Sequence, residues 1–216
     1  MKSILIIGMG RFGRHLCMNL SKRGNQIMIV DVKEENLEGM LPYVVSAKIG
    51  DCTNEEVLKS LGISNFDVCF VCIGTNFQSS LEITSLIKEM GARHVVSKAT
   101  RDIHAKFLLR NGADEVIYPD RDVAERLAVR FSANPVFDYI ELADGYAIYE
   151  ILPLDEWLNK TLIELDMRNR YHINVIGMKE NGKVALMPAA THRIQPNEHL
   201  IIVGRQDDVG ILLKRL

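Results

Sequence analysis

Near its start the chain carries an apolar run, Ser3-Ile4-Leu5-Ile6-Ile7, that stops at Gly8-Met9-Gly10-Arg11-Phe12-Gly13 and gives way to Phe12, Leu16 and Leu20 at helical spacing. This order of strand, glycine turn and helix limits the possible folds more than any other feature. The next apolar run, Ile27 to Val30, ends in Asp31, about twenty residues past the turn. Together these segments predict a βαβ unit with an acid at the tip of its second strand.

Each part has a physical role in holding a nucleotide. Gly8 permits the tight turn out of the strand, Gly10 removes the Cβ that would hold phosphate oxygens away from the backbone, and Gly13 lets helix and sheet pack closely. Phosphates would then rest on unpaired helix N–H groups, with Phe12 in the same loop. Asp31 can accept hydrogen bonds from both ribose hydroxyls and repels a 2′-phosphate, so an adenosine ligand without that phosphate is favoured. Lys33 weakens the exclusion only a little. Arg11 can neutralise more negative charge than amides alone, which suits ATP or ADP at least as well as NAD.

The alternation continues. Val44 to Ile49 reads as a third strand ending in Gly50-Asp51-Cys52-Thr53 before a helix over Asn54 to Leu61. Asp51 repeats the position of Asp31, so the two acids are placed to bracket ribose and adenine; equally, Asp51 or Thr53 caps the helix that follows. Asp67 to Ile73 is a fourth strand, after which Gly74-Thr75-Asn76 turns into a helix over Phe77 to Met90. Asn76 and Gln78 are potential donors to ligand oxygens, and capping by Thr75 or Asn76 is the alternative. Arg93 to Val96 is a fifth strand leading to Lys98, in reach of the same crevice. A helix over Arg101 to Arg110 and a strand over Glu115 to Tyr118 close the series at Pro119-Asp120.

A helix follows over Asp122 to Phe131, whose apolar stripe of Val123, Leu127 and Phe131 completes the core or meets another subunit. The texture then changes at Asp138. Two hairpins turn at Ala143-Asp144-Gly145 and Glu180-Asn181-Gly182, with a helix over Thr161 to Arg170, a strand at Leu200 to Val203 and a last helix from Asp208. The expected fold class is α/β: a doubly wound, Rossmann-like parallel sheet over residues 1–137, crossover helix included, with a second, smaller α+β domain over 138–216.

Composition bounds the rest. With 26 Lys and Arg against 28 Asp and Glu, the formal charge is −2, and no basic block supplies a nucleic-acid footprint. No apolar stretch approaches the roughly 18 residues needed to cross a bilayer, and Met1-Lys2-Ser3 leads straight into a strand, so a cytoplasmic location is expected. The thiols Cys17, Cys52, Cys69 and Cys72 then stay reduced, and Cys69 and Cys72, three apart in a strand, should face opposite ways into core. The six histidines are expected on surfaces and turns, without metal spacing. No proton donor or acceptor set for a dehydrogenase assembles, and P-loop and esterase motifs are missing, so the chain reads as a sensor rather than an enzyme. A small NAD-dependent oxidoreductase is the alternative.

Ile6-Ile7-Gly8-Met9-Gly10-Arg11-Phe12-Gly13, Asp31, Gly50-Asp51-Cys52-Thr53, Gly74-Thr75-Asn76-Phe77-Gln78-Ser79 and Gly112-Ala113-Asp114 through Tyr118-Pro119 resemble the regulatory subunits of Trk and Ktr potassium transporters. Tyr139-Ile140-Glu141-Leu142 and Asp166-Met167-Arg168 extend the resemblance into the second domain, so that both regulator-of-potassium-conductance (RCK) domains are covered. The resemblance implies a cytoplasmic ring, an octamer built from homodimers, at the inner face of the membrane under a potassium-translocating subunit of the KtrB or TrkH type. It implies gating by ATP and ADP, with Arg11 reaching the γ-phosphate across the dimer and Asp31 on the ribose; an NADH-sensing Trk-type subunit is the variant reading. It further implies a divalent cation or sodium at the dimer interface, near Asp120, where close relatives carry glutamate. In the second domain it implies a cyclic di-AMP site at Arg168, Ile173, Asn174 and Pro188.

Overall fold

The computed structural model describes residues 1–74, 76–132 and 136–214. The chain divides into two compact units, Met1–Asp120 and Arg121–Leu216. The first contains β1 (Ser3–Ile7), α1 (Arg11–Ser21), β2 (Gln26–Asp31), β3 (Ser46–Ile49), α2 (Glu55–Lys59), β4 (Val68–Val71), α3 (Phe77–Glu89), β5 (Val95–Lys98), α4 (Asp102–Arg110) and β6 (Glu115–Ile117). Helix α5 (Pro119–Ser132) begins in it. The six strands are parallel in the order β3-β2-β1-β4-β5-β6, the doubly wound order whose switch point lies between β1 and β4.

Strand β1 is buried on both sheet faces, which is why its sequence is an unbroken apolar run rather than an alternation. Leu5 and Ile7 enter one core cluster with Val71, Ile83 and Ile87; Ile4 and Ile6 enter the other with Cys17, Ile27 and Ile29. Cys69 lies in the first cluster and Cys72 in the second, the opposite placement that an offset of three in an extended chain requires. All four thiols are free and buried.

Local chemistry sets the helix starts. Asn76 Oδ1 accepts from Ser79 N at 3.1 Å and caps α3, and Asn54 Oδ1 accepts from Glu56 N at 2.9 Å and caps α2. The α2 cap is therefore neither Asp51 nor Thr53, because the Asp51 carboxylate turns back to take Thr53 N at 2.9 Å and Thr53 Oγ1 at 2.8 Å. His104 also departs from expectation. It is wholly buried in α4, tilted against Phe77 at 4.8 Å between ring centroids, and burial followed by the nearby Arg101 charge lowers its pKa and keeps it neutral. Val123, Leu127 and Phe131 remain exposed instead of completing the core.

The second unit contains β7 (Val136–Glu141), β8 (Tyr146–Ile151), α6 (Leu162–Leu165), α7 (Met167–Tyr171), β9 (Ile173–Glu180), β10 (Lys183–Leu186), β11 (His199–Arg205) and α8 (Gln206–Leu213). Its sheet is antiparallel in the order β10-β9-β11-β8-β7. Both hairpins turn through two consecutive positive-φ residues, Asp144 and Gly145 (55° and 77°) and Asn181 and Gly182 (49° and 77°), the backbone twist that a tight hairpin turn needs. The helix expected over 161–170 is broken at Asp166, which takes φ 43°. Thr161 and Glu164 form a capping box for α6, and Asp166 accepts from Asn169 Nδ2 at 2.9 Å, so the chain restarts as α7. The core here surrounds Trp157, Tyr149, Ile151, Leu200 and Ile202.

One charged cluster stands on this sheet. Glu150 accepts from Lys179 Nζ at 2.8 Å and lies 2.6 Å from His199 Nδ1. Burial pushes its pKa up, but the hydrogen bonds from Lys179 and His199 outweigh that and hold it below the ordinary 4.5. A depressed native pKa contributes stability fully above the unfolded value and loses it as pH falls through the native one. Glu150→Gln should therefore cost roughly 1–2 kcal/mol at neutral pH in chemical denaturation, with the difference from wild type shrinking as pH falls below the ordinary 4.5 and through the lower native value.

Candidate functional site

Within the first unit a cavity of about 750 Å³ opens at the carboxyl ends of the parallel strands. Its lining includes Gly8, Gly10, Arg11, Phe12, Asp31, Asp51, Cys52, Gly74, Asn76, Lys98 and Asp120. Its size falls in the range that holds a nucleotide-sized ligand. Of the other residues predicted for this site, Gly13 lies beneath the loop. Gln78 is exposed outside the lining, with Nε2 bonded to Glu82 at 2.7 Å, and Thr75 lies outside the described residues.

Three glycines make the loop. Gly8 takes φ +94°, and a Cβ there would meet Ile73 Cγ1 at 3.0 Å. At Gly13 a Cβ would fall 2.2 Å from the Gly8 carbonyl oxygen, so α1 can lie on the end of β1 only without a side chain at that position. A Cβ at Gly10 would meet nothing within 4 Å. Gly10 is also the N-cap of α1 and supplies no side-chain cap, leaving the first helix amides for an anion in the space above them.

Asp31 is 9% exposed and fixed from three directions. Its Oδ2 accepts from Met9 N at 2.7 Å, while Oδ1 accepts from Lys33 N at 2.9 Å and Asn36 Nδ2 at 3.0 Å. The acid thus ties the tip of β2 to the glycine loop. Lys98 Nζ sits 5.6 Å from the centre of the Phe12 ring and 3.4 Å from where a Gly74 Cβ would be, placing a cation at the cavity wall beside the glycine loop. Burial, with smaller contributions from Asp51 and Asp31, pushes the Cys52 thiol up to about 12; burial does the same to Cys72, also in the lining. Neither ionises near neutrality.

Asn36, Ser79 and Thr100 line the cavity without having been singled out as site residues from the sequence. Asn36 lies five residues past Asp31 on a short 3-10 turn, a position with no motif of its own. Thr100 follows Lys98 at the end of β5, where the strand-tip rule applied to Lys98 would also have found it. Asp120 is in the lining, yet among the described residues no three His, Cys, Asp or Glu side chains gather to hold a metal ion. In the second unit Arg168 Nε donates to Asn174 Oδ1 at 2.9 Å, and both are exposed; Pro188 is half-buried, whereas Ile173 is fully buried in the core against Gly204.

Comparison with known proteins matches residues 4–119 to the TrkA-N domain and residues 146–216 to the TrkA-C domain. The chain is 38% identical to the Ktr system potassium uptake protein C of Bacillus subtilis over 215 residues, covering 100% of this chain and 97% of that protein. It is 35% identical to the Ktr system potassium uptake protein A of the same organism, covering 96% and 94%. Among solved structures, the GsuK RCK domain aligns with a TM-score of 0.65 at 18% identity, covering 99% of this chain and 47% of that one. The GsuK channel bound to NAD aligns at 0.69 and 18%, covering 98% and 38%. GsuK bound to ADP aligns at 0.52 and 17%, covering 60% and 34%. This chain therefore spans less than half the length of the GsuK chains it matches.

The glycine geometry separates two substitutions that look alike. Gly13→Ala should cost roughly 2–3 kcal/mol by overpacking, because the atom it meets is backbone. Gly10→Ala, entering open space, should leave stability within about 0.5 kcal/mol of wild type. Thermal and urea melts of the two variants check both values.

Proposed function

This chain belongs to the family of TrkA-N and TrkA-C domain proteins that includes the Ktr potassium uptake proteins, and on that premise we propose that it senses ATP and ADP and gates a membrane potassium-translocating subunit. The observation that carries the nucleotide part is the open space above Gly10, at an uncapped helix N-terminus in a cavity that also holds Arg11, Lys98 and Asp31. The cavity offers cations and amides at the phosphate end and an acid at the ribose end, the order in which an adenine nucleotide presents its charges.

Gating needs a contact that one nucleotide makes and the other cannot, because a ligand shifts an equilibrium only by its differential affinity for the two states. Arg11 in the glycine loop, reaching a γ-phosphate across a homodimer, is such a contact. A charge-assisted hydrogen bond contributes about 1.5–3 kcal/mol, whereas carrying a population from 1:99 to 99:1 takes about 5.5 kcal/mol. One Arg11 is insufficient for a full switch. Two or more subunits moving together reach the required figure, which favours an assembly such as the octameric ring.

The potassium-uptake relatives favour a regulatory role over hydride transfer. NAD in a GsuK channel favours a second ligand reading, NADH sensing, which uses the same acid and glycine loop. The cation near Asp120 and cyclic di-AMP at Arg168 and Asn174 belong to the same proposal as sites completed by a second copy of the chain. Localisation follows the partner: the cytoplasmic side, docked on the membrane subunit.

Isothermal titration calorimetry of the full chain should show direct ATP and ADP binding, displaced poorly by NADH. Gly10→Ala should abolish both while keeping its melting temperature. Arg11→Ala should weaken ATP by about 10–100-fold and ADP much less. Absence of adenine-nucleotide binding in the wild type, or equal effects of Arg11→Ala on the two ligands, overturns the proposal.

A further inference from the structure

Arg14 stands on α1 outside the cavity lining, yet it braces the two loops at the ribose end. Its Nε donates to the Met9 carbonyl at 3.1 Å, and a terminal nitrogen donates to the Glu35 carbonyl at 3.0 Å and faces Asn36 Oδ1 at 3.5 Å. On its other side Asn36 gives Nδ2 to Asp31 Oδ1 at 3.0 Å, and Asn36 lines the cavity. A cation on one flank and a carboxylate on the other leave the amide a single orientation, oxygen toward Arg14 and nitrogen toward Asp31.

The acceptor count at Asp31 then becomes decisive. A carboxylate oxygen accommodates about two donors. Oδ1 already has two, Lys33 N and Asn36 Nδ2, and Oδ2 has one, Met9 N. One place remains, on Oδ2, while a ribose diol carries two hydroxyls. Asp31 cannot accept hydrogen bonds from both hydroxyls unless it breaks a bond that holds the loop. Asn36 lines the cavity, and the nitrogen that bonds Oδ1 carries a second N–H.

We infer that Asn36, oriented by Arg14, reads the second ribose hydroxyl by donating to its oxygen, while Asp31 accepts a hydrogen bond from the first. Asn36 is then a specificity-determining residue for ribonucleotides, and Arg14 is a positioning residue. This rests on the adenine-nucleotide reading of the cavity, and deepens it by assigning the hydroxyl end of the ligand to a pair of side chains.

Calorimetry on the full chain with ATP, ADP, 2′-deoxy-ATP and 3′-deoxy-ATP tests it. Wild type should lose roughly tenfold in affinity for each missing hydroxyl. Asn36→Ala should weaken ATP about tenfold, after which one deoxy analogue binds as tightly as ATP and the other keeps its penalty through Asp31. Arg14→Gln should bring that same analogue within about threefold of ATP, and Arg14→Lys, which retains a cation beside Asn36 Oδ1, should recover part of the difference. The ratio of ATP to ADP affinity should not move in any of these variants, since the terminal phosphate lies at the other end.

A wild type that binds ATP but ignores both hydroxyls overturns the inference and leaves the nucleotide site standing, and this measurement needs no variant to fold. Full penalties for both analogues in a folded Asn36→Ala overturn it as well. A wild type that binds no adenine nucleotide removes this inference and the proposed function together.

Discussion

The position of Gly13 under the carbonyl of Gly8 sets the geometry of the whole first unit. A methyl group there would approach the oxygen to 2.2 Å, so any larger residue forces α1 away from the end of β1. With hydrogen in its place, the helix starts directly over the strand tip, and its first amides open into the cavity rather than into the core. The bond from Met9 N to Asp31 then registers β2 against the same loop. Close packing in the sheet and the shape of the cavity are thus one constraint: a change that relaxes the first displaces the second.

Much of this was legible because glycine and aspartate at fixed offsets have few competing explanations. The βαβ unit, the six parallel strands and the strand-tip residues Asp31, Asp51, Asn76, Lys98 and Asp120 follow from periodicity and the rule that ligands sit beyond the carboxyl ends of parallel strands. What escaped the sequence depends on side chains chosen by three-dimensional neighbours. Asn36 carries no signal until the bonds to Asp31 and Arg14 are seen. Gln78 looked like a donor to a ligand, but four residues on, Glu82 occupies its amide across one helical turn. The burial of His104 is hidden from the sequence for the same reason, since helical periodicity alone does not say that Phe77 from α3 packs over it.

The second unit shows the complementary case. Its hairpins were readable because Asp-Gly and Asn-Gly pairs supply the two positive-φ residues that such turns demand. The break at Asp166 was not, because a left-handed aspartate costs backbone energy that only the surrounding contacts, Asn169 among them, offset. That break lets α7 begin with Met167 in the core while its next residue, Arg168, remains exposed beside Asn174. Ile173, adjacent in sequence to Asn174, went inward with the strand alternation. Of the four positions carried over by resemblance, the pleat of β9 turns Ile173 into the core and Asn174 to the surface, where Arg168 of α7 meets it, while Pro188 lies half-buried.

Cys52 and Cys72 give the cavity a further property. Oxidants and electrophiles attack thiolates, and thiols pushed up to about 12 supply almost none at neutral pH. Although sulfur lines the wall, both thiols are buried and held protonated near neutrality, which disfavours their oxidation or alkylation there.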